Sequence, residues 1–177
     1  MLSEGTAMDL LIRKGNQSDI EAFISLLQEV RDAMEHKEWF YLDSPEDVRS
    51  MMKEGIMELW VAMDGDKMVA GFDFLRPGKR CFNYGYDLAL SEEDLSLVIN
   101  MDSAAVHPEY RGLGLQQKLI RCAEDQIRCE GRRILLCTVH PDNRFSLENV
   151  LRQGYAIQKK IAKYGSVRYI LRKDIKK

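Results

Sequence analysis

The sequence predicts a mixed α/β or α+β fold in a single domain spanning residues 1–177. Apolar residues recur at helical spacing in several segments, and short apolar or alternating segments typical of strands lie between them. After a first short strand, the elements follow in the order αα, ββ and then β-α-β-α-β-β. A chain of 177 residues without repeats or Pro-rich linkers suits one core.

The first elements are a short strand and an amphipathic helix. Residues 10–13 (LLIR) form the strand candidate. In the NQSDIE segment that follows, Ser18 and Glu21 have the spacing of a capping box with Ser18 as N-cap. Apolar residues at helical spacing then predict a helix over 19–35; they are Ile20, Phe23, Ile24, Leu27, Val30 and Met34.

A second helix and a hairpin come next. Ser44 is placed to cap the helix, Pro45 suits its first position, and Gly55 marks its end. The segments ELWVAMD and KMVAGFDFL are strand candidates separated by GDK, so Gly65 is expected in a hairpin turn.

The C-terminal half alternates strands and helices. RPGKRCFNYGYDLALSEED predicts a loop with an embedded aromatic strand and then a short helix capped by Ser91. INMDSAAVHP predicts a strand closed by Pro108, and the next helix reaches Gly131. RRILLCTVH is typical of a strand covered on both faces. A helix ending at Gly154 and two strands around a turn at Gly165 complete the chain.

Composition excludes several classes of function. The 26 basic and 28 acidic residues nearly balance, which gives no electrostatic case for a nucleic-acid or anionic-membrane partner. The four cysteines show neither a CxxC pair nor metal-ligand spacing, so we expect reduced thiols in the cytoplasm and no metal site. Residues 1–15 lack the pattern of a leader, and no uncharged apolar run is long enough to cross a bilayer.

The segment RGLGLQ joins the strand before Pro108 to the next helix. Gly112 and Gly114 let backbone N–H groups converge at a helix N-terminus, and Arg111 adds a cation, so the segment is a candidate anion cradle. An ordinary strand-to-helix turn is the alternative. The segment does not fit a P-loop, which needs Gly-Lys-Ser/Thr, or a Rossmann fingerprint, which needs a third glycine.

Two motifs at fixed spacing carry a family resemblance. AAVHPEYRGLGLQQKL places Arg111 and Gly114 in register with an Arg/Gln-x-x-Gly-x-Gly/Ala pattern. VHPDNRFSLENVLRQGY supplies an Asn, a small residue and a Gly-aromatic pair at matching offsets, namely Asn143, Ser146 and Gly154-Tyr155. The chain thereby resembles the GNAT superfamily of acyl-CoA-dependent N-acetyltransferases over nearly its whole length.

The resemblance implies a mostly antiparallel sheet with splayed strands 4 and 5 and helices on both faces. Acetyl-CoA would lie in the gap as co-substrate, without a metal, and a neutral amine would attack its thioester directly. The residues implied in cofactor binding are Ala104, Ala105 and Val106 for pantetheine, Arg111, Gly112, Leu113, Gly114, Leu115 and Gln116 for the pyrophosphate, and Asn143 and Ser146 at the second motif.

The sequence departs from the family pattern at two positions. Gln116 stands where Gly or Ala is preferred, which is tolerable if only its N–H contacts the pyrophosphate. Val150 stands where many members carry a tyrosine that protonates the departing thiolate, and valine donates no proton. Tyr155 and Tyr164 are candidate acids, although Tyr155 also fits as a packing aromatic after the helix cap. A thiolate needs little acid help, so solvent can serve.

Asp102 is the candidate general base or amine anchor. By strand alternation it shares a face with Val106, where some family members place a carboxylate or histidine. A polar residue that only forms hydrogen bonds is the alternative, and ordered water is the base in many members. His107 and His140 each precede a proline at a strand end, which favours exposed loop positions over catalysis.

The expected acceptor is a primary amine of a small polar or amino-acid-like molecule. HKEWFYLDSPED and KRCFNYGYDLALSEED combine aromatic and acidic residues that either bind a cationic amine or form core and rim. The main alternative, favoured by Val150, is a non-catalytic CoA-binding sensor or regulatory module. A protein-interaction domain with an empty cleft is a third, favoured if Gln116 blocks the pyrophosphate. The sequence leaves open whether the protein forms a homodimer.

Overall fold

The computed structural model describes residues 9–176 and contains a seven-stranded sheet with helices on both faces. The strands are β1 (Leu11–Lys14), β2 (Met57–Asp64), β3 (Lys67–Leu75), β4 (Val98–Val106), β5 (Arg133–Val139), β6 (Ala156–Lys163) and β7 (Ser166–Ile175). The helices are α1 (Ile20–Asp32), α2 (Pro45–Lys53), α3 (Glu92–Leu95), α4 (Leu115–Arg128) and α5 (Arg144–Arg152). The mixed α/β class is confirmed.

The sheet has the order β1-β2-β3-β4-β5-β7-β6, and all neighbours are antiparallel except β4 and β5. This parallel pair is short, with a register that runs only from Val98 opposite Ile134 to Asn100 opposite Leu136. Beyond it, β4 continues to Val106 without pairing to β5 in the described chain. The predicted splay of strands 4 and 5 is therefore confirmed, and it opens a wedge within the sheet.

Helices α1 and α2 cover one face of the sheet. The buried stripe of α1 consists of Ile20, Phe23, Ile24, Leu26, Leu27 and Val30. Phe23 lies over Gly71 of β3, where an added Cβ would come within 2.6 Å of the Phe23 ring. Because glycine has no side chain, α1 packs directly on the β3 backbone.

Helix α4 covers the other face. Its buried residues are Leu115, Leu119, Ile120, Ala123, Glu124 and Ile127, and the apolar ones pack in one cluster with side chains of β3, β4 and β5. Val150 of α5 and Tyr155, which follows that helix, join the cluster. This packing fixes the N-terminus of α4 and the glycine loop before it beside the wedge.

The start of α1 differs from the prediction. Asn16 Oδ1 accepts the Ser18 N–H at 2.8 Å, and Asp19 Oδ2 accepts the Asn16 N–H at 2.8 Å. Asn16 and Asp19 form the capping box of a 3-10 helix over Gln17–Asp19 that leads into α1, and Asp19 also pairs with Arg13. The predicted box of Ser18 and Glu21 is therefore wrong, and α1 ends earlier than predicted.

The predicted aromatic strand before α3 is wrong, because the segment forms a 3-10 helix over Tyr84–Leu88. The Asn83 side chain accepts the Gly85 N–H at 2.8 Å and donates to the Leu95 carbonyl at 3.1 Å. An amide that satisfies backbone groups of its own loop favours a turn over an extended strand. The turn buries the Tyr84 side chain beside β4.

The other turn and cap predictions are confirmed. Ser44 Oγ accepts the Asp47 N–H at 3.1 Å at the start of α2. Gly65, Gly154 and Gly165 lie in the β2–β3 turn, at the end of α5 and in the β6–β7 turn, with φ of 56°, 91° and 70°. These left-handed conformations are the ones that glycine adopts without strain.

Three predictions concerned absences. None of the helices described in residues 9–176 combines the length and apolarity needed to cross a membrane. Over the same residues, no group of three or more His, Cys, Asp or Glu side chains is placed to hold a metal, and the four cysteines are free. The prediction about a leader rests partly on residues 1–8, which lie outside the described residues.

Candidate active site

The wedge between β4 and β5 opens into a cavity of about 920 Å³. Met101, Ala104 and Val106 of β4 line one wall, and Thr138 of β5 lines the opposite one. The cavity extends from a loop end, formed by residues 110–117, to an aromatic end, formed by Tyr41, Tyr84, Asp102 and Tyr164. One continuous cleft thus connects the glycine loop with a group of tyrosines.

The loop end presents unpaired donors. Gly112 and Gly114 have φ of 82° and 69°, and an added Cβ on either would have no neighbour within 4 Å. Gly114 is the N-cap of α4, and no side chain caps this helix. The N–H groups of residues 115–117 consequently have no acceptor in the described chain. Open space beside unpaired N–H groups at a helix N-terminus is the geometry that binds an anion.

The other loop residues differ in what they present to the cavity. The Arg111 N–H donates to the Pro108 carbonyl at 3.3 Å, so the guanidinium rather than the N–H remains for an anion. Leu113 is exposed and does not line the cavity. Gln116 does line it, so its side chain borders the space beside the unpaired N–H groups.

The edge of β4 that faces β5 is unpaired along residues 101–106 of the described chain. Ala104 and Val106 line the cavity, whereas the Ala105 side chain is buried in the cluster under α1. Any contact of Ala105 with a ligand therefore involves its backbone. An extended molecule with amide groups can add to such an edge as a strand would.

The start of α5 closes the loop end from the other side. Asn143 Oδ1 accepts the Ser146 N–H at 3.2 Å, so the amide oxygen caps the helix. Both residues line the cavity, as does the half-buried Asn149. Val150 lies in the apolar wall and presents no hydroxyl to the cleft.

A β-bulge sets the direction of Asp102. The β3–β4 register shifts by one residue, which places Asp102 and Ser103 together opposite Asp73. Val106 therefore packs with the cluster under α4, whereas Asp102 accepts a hydrogen bond from Tyr84 on the other face. The predicted shared face of Asp102 and Val106 is wrong for this reason, although Asp102 still lines the cavity.

The surroundings of Asp102 favour its neutral form. Burial raises the pKa of Asp102 to about 6, and the charge of Asp43 adds to the rise. Hydrogen bonds from the hydroxyls of Tyr84 (2.9 Å) and Ser103 (3.3 Å) act in the opposite direction. Burial and the Asp102 charge also raise the pKa of Asp73, whose Oδ2 has no partner among the described residues. Asp102 thus changes charge close to neutral pH.

Three tyrosines surround this carboxylate. The Tyr84 hydroxyl donates to Asp102 Oδ1 and lies 3.0 Å from the Tyr164 hydroxyl. Tyr164, at the β6–β7 turn, stacks on Tyr41 with ring centroids 3.9 Å apart. Burial raises the pKa of Tyr164, so the hydroxyl keeps its proton at neutral pH. Two phenols therefore form a hydrogen-bonded chain that ends on Asp102.

The two candidate acids differ in placement. The Tyr155 hydroxyl donates to Glu124 Oε1 at 2.9 Å, and Glu124 also pairs with Lys173. Tyr155 is packed in the cluster under α4, which is the packing role the sequence offered as its alternative. Tyr164 instead presents its hydroxyl among the groups of the aromatic end.

Both histidines are less exposed than predicted. His107 is 9 % exposed, and its Nδ1 accepts the Glu109 N–H at 3.3 Å. His140 Nδ1 accepts the Asp142 N–H at 3.2 Å, and its ring stacks on Trp39 with centroids 5.9 Å apart. The expectation of exposed positions is wrong, because each ring accepts a backbone hydrogen bond from its own turn. Neither lines the cavity.

Sequence reasoning missed Arg168 and gave no specific role to Asp43 or Asp73. Arg168 of β7 is buried and lines the aromatic end of the cavity. The available signal was a single arginine within the apolar strand segment SVRYIL, since buried arginines are rare. The charge of Asp43 raises the pKa of Asp102, and sequence spacing does not reveal that the fold brings these two residues near each other.

Comparison with known proteins identifies the family. A family model described as the acetyltransferase (GNAT) family matches residues 21–155. Among curated proteins, none matches the sequence.

Solved structures share the fold at low sequence identity. A GNAT-family acetyltransferase from Streptococcus pneumoniae is 15 % identical with a TM-score of 0.70, over 94 % of this chain and 99 % of that one. The putative acetyltransferase yncA from Salmonella typhimurium, solved with its cofactor acetyl-CoA, is 14 % identical with a TM-score of 0.71, over 96 % and 95 %. PaiA N-acetyltransferase from Thermoplasma acidophilum, in complex with coenzyme A, is 14 % identical with a TM-score of 0.61, over 94 % and 99 %.

Proposed function

Since the chain belongs to the acetyltransferase (GNAT) family, we propose that it transfers an acetyl group from acetyl-CoA to a primary amine of a small or amino-acid-like molecule. The observation that carries the proposal is the continuous cleft, which joins unpaired N–H donors at the loop end to the half-buried Asp102 at the aromatic end. The proposal includes one acetyltransferase domain over residues 1–177, a cytoplasmic location in line with the free cysteines, and no metal.

The residues of the cleft fit acetyl-CoA. The unpaired N–H groups and Arg111 at the loop end suit a pyrophosphate, and the free edge of β4 at residues 104–106 suits the amides of pantetheine. Asn143 and Ser146 border the same space. Two of the similar solved structures contain acetyl-CoA or coenzyme A, which supports this assignment.

The aromatic end would prepare the amine. When bound, acetyl-CoA supplies an activated acetyl group as its thioester. The amine nitrogen bonds to the acetyl carbon and the carbon–sulfur bond breaks, which yields an acetylated amine and a free thiol. Asp102 takes the amine proton, directly or through the hydroxyls of Tyr164 and Tyr84. Of the two candidate acids for the thiolate, Tyr164 is the better placed, because Tyr155 already donates to Glu124.

A non-catalytic CoA-binding module is the second candidate function. Val150 favours it, because this position in the cleft offers no hydroxyl for the thiolate. The module would share the loop end with the enzyme and would not need the Asp102 carboxylate.

Release of thiol from acetyl-CoA across a panel of primary amines tests the proposal. We expect release that depends on the amine, with equilibrium binding of acetyl-CoA measured on the same protein by calorimetry. Binding without release by any amine would favour the regulatory module. Absence of binding at millimolar acetyl-CoA would contradict both functions.

Substitution of Gly114 tests the loop end. Gly114→Ala places a Cβ on a residue with φ of 69° and displaces the N–H donors, so acetyl-CoA should bind at least about tenfold more weakly. Gly65→Ala is the matched control, because Gly65 has φ of 56° and no neighbour within 4 Å but lies in the β2–β3 turn. Unchanged calorimetric affinity of Gly114→Ala, or an equal loss in both variants, would exclude this binding role.

The pH dependence of the rate tests Asp102. Because Asp102 accepts a proton only as a carboxylate, kcat/KM should rise with pH through about 6. Asp102→Asn should lower kcat/KM by about 10²- to 10⁴-fold and abolish this rise of kcat/KM with pH. Tyr84→Phe removes a hydrogen bond that lowers the pKa of Asp102, so the rise in kcat/KM should move to higher pH. An unchanged pH profile in Asp102→Asn would rule out Asp102 as the base.

A further inference from the structure

Arg168 of β7 is a buried cation in the wall of the aromatic end, with 3 % of its surface exposed. Its Nη1 donates to the Trp39 carbonyl and its Nη2 to the Glu38 carbonyl, each at 2.8 Å. A guanidinium carries five N–H donors, so three of them have no partner among the described residues, and the buried Nε is one of the three. The side chain is therefore positioned by the α1–α2 loop with donors left unused.

Arg168 also lacks an anion. Other partly buried arginines are paired, such as Arg13 with Asp19 and Arg76 with Glu58, each with nitrogen and oxygen less than 3 Å apart. Within residues 9–176, Arg168 makes no such pair, and its hydrogen bonds go to neutral carbonyls. Burial accordingly lowers the pKa of Arg168. A buried guanidinium is costly unless an anion joins it, so this one indicates an anionic ligand.

Tyr164 is near Arg168 and is linked to Asp102. Its ring centroid is 6.0 Å from the Arg168 guanidinium carbon. Its hydroxyl connects to Asp102 through the Tyr84 hydroxyl, over contacts of 3.0 and 2.9 Å. The aromatic end thus holds both an unpaired cation and a carboxylate, each linked to Tyr164 by these contacts.

We propose that the acceptor is an amino acid, whose free carboxylate binds Arg168 while its amine points towards Asp102. This inference rests on the proposed acetyl transfer and specifies its substrate class. The planar guanidinium suits a carboxylate, which can accept two parallel N–H bonds. The phosphates of CoA belong to the loop end of the cleft, so they do not meet this cation.

A purely structural role makes a different prediction. If Arg168 only holds the Glu38 and Trp39 carbonyls, its removal disturbs the α1–α2 loop for every acceptor alike. A carboxylate site instead separates acceptors by whether they carry a carboxylate. The comparison of matched acceptors therefore distinguishes the two roles even if the α1–α2 loop is disturbed in a variant.

The first experiment uses the unaltered protein. Thiol release from acetyl-CoA is measured with free amino acids, including β-alanine and γ-aminobutyrate, and with the carboxamide and the decarboxylated amine of each. We expect the best amino acid to have a kcat/KM at least about 30-fold above its carboxamide, because the carboxamide leaves the buried cation unpaired. Carboxamides that react as well as the free amino acid would overturn the proposal.

The second experiment uses variants of Arg168. Arg168→Met should raise KM for the amino acid at least about 30-fold and change kcat/KM for the decarboxylated amine less than about threefold. Arg168→Lys keeps the charge without the planar fork and should lie between them. Arg172→Met is the matched control, since Arg172 is on the same strand and pairs with Asp174 at 2.9 Å. An equal loss for both acceptors in Arg168→Met would assign Arg168 a structural role and overturn the proposal.

A binding measurement separates this inference from the proposed function. Amino acids and their carboxamides are titrated calorimetrically into the protein saturated with CoA. Carboxylate-dependent binding that Arg168→Met abolishes, without any thiol release, would uphold the Arg168 site and contradict acetyl transfer. Thiol release confined to amines without a carboxylate would uphold acetyl transfer and contradict the Arg168 site. Failure of every amino acid to bind would also contradict it.

Discussion

The short parallel contact between β4 and β5 is the constraint on which the rest of the structure depends. The two strands pair only as far as Asn100 opposite Leu136, and each then continues without the other. If the two strands had stayed paired, the backbone groups along this edge of β4 would have bonded to β5 and the cleft would be closed. Because it stops, the strand edge, the bare N-terminus of α4 and the aromatic end all border one space. Helices α4 and α1 pack on the two faces of the sheet, with residues of β4 in both apolar clusters.

A one-residue bulge in β4 sets the direction of Asp102 at the aromatic end of this cleft. It brings Asp102 and Asp73 close together, and burial raises the pKa of both. The charge of Asp102 adds to the rise at Asp73, and the charge of Asp43 adds to the rise at Asp102. The opposite charge in the same end of the cleft comes from Arg168, whose hydrogen bonds go to backbone carbonyls. Among residues 9–176, no ion pair joins this cation to Asp102 or Asp73. Such separation costs stability, and a zwitterionic substrate would offset that cost by contacting both charges.

Local signals predicted most of the fold, whereas the site depended on contacts that spacing does not encode. Ser44 caps a backbone N–H three residues away with its side chain, Gly165 acts through its own backbone conformation, and both predictions are confirmed. Asp102 was placed on the wrong face because a bulge reverses strand alternation without leaving a mark in the residue pattern. The capping box was predicted at the wrong residue because Asn16 and Ser18 both have suitable side chains; in the structure Asn16 is the cap and its partner Asp19 also pairs with Arg13. The family resemblance, rather than periodicity, predicted the splayed strands.

We propose that the splayed strands and the glycine loop together bind acetyl-CoA. Amide chemical shifts of the nitrogen-labelled protein, recorded during titration with acetyl-CoA, test it most directly. We expect the largest changes at residues 112–117, whose N–H groups have no acceptor among residues 9–176, and along the free edge of β4 at residues 104–106. Changes confined to other surfaces, with those two segments unaffected at saturation, would contradict it.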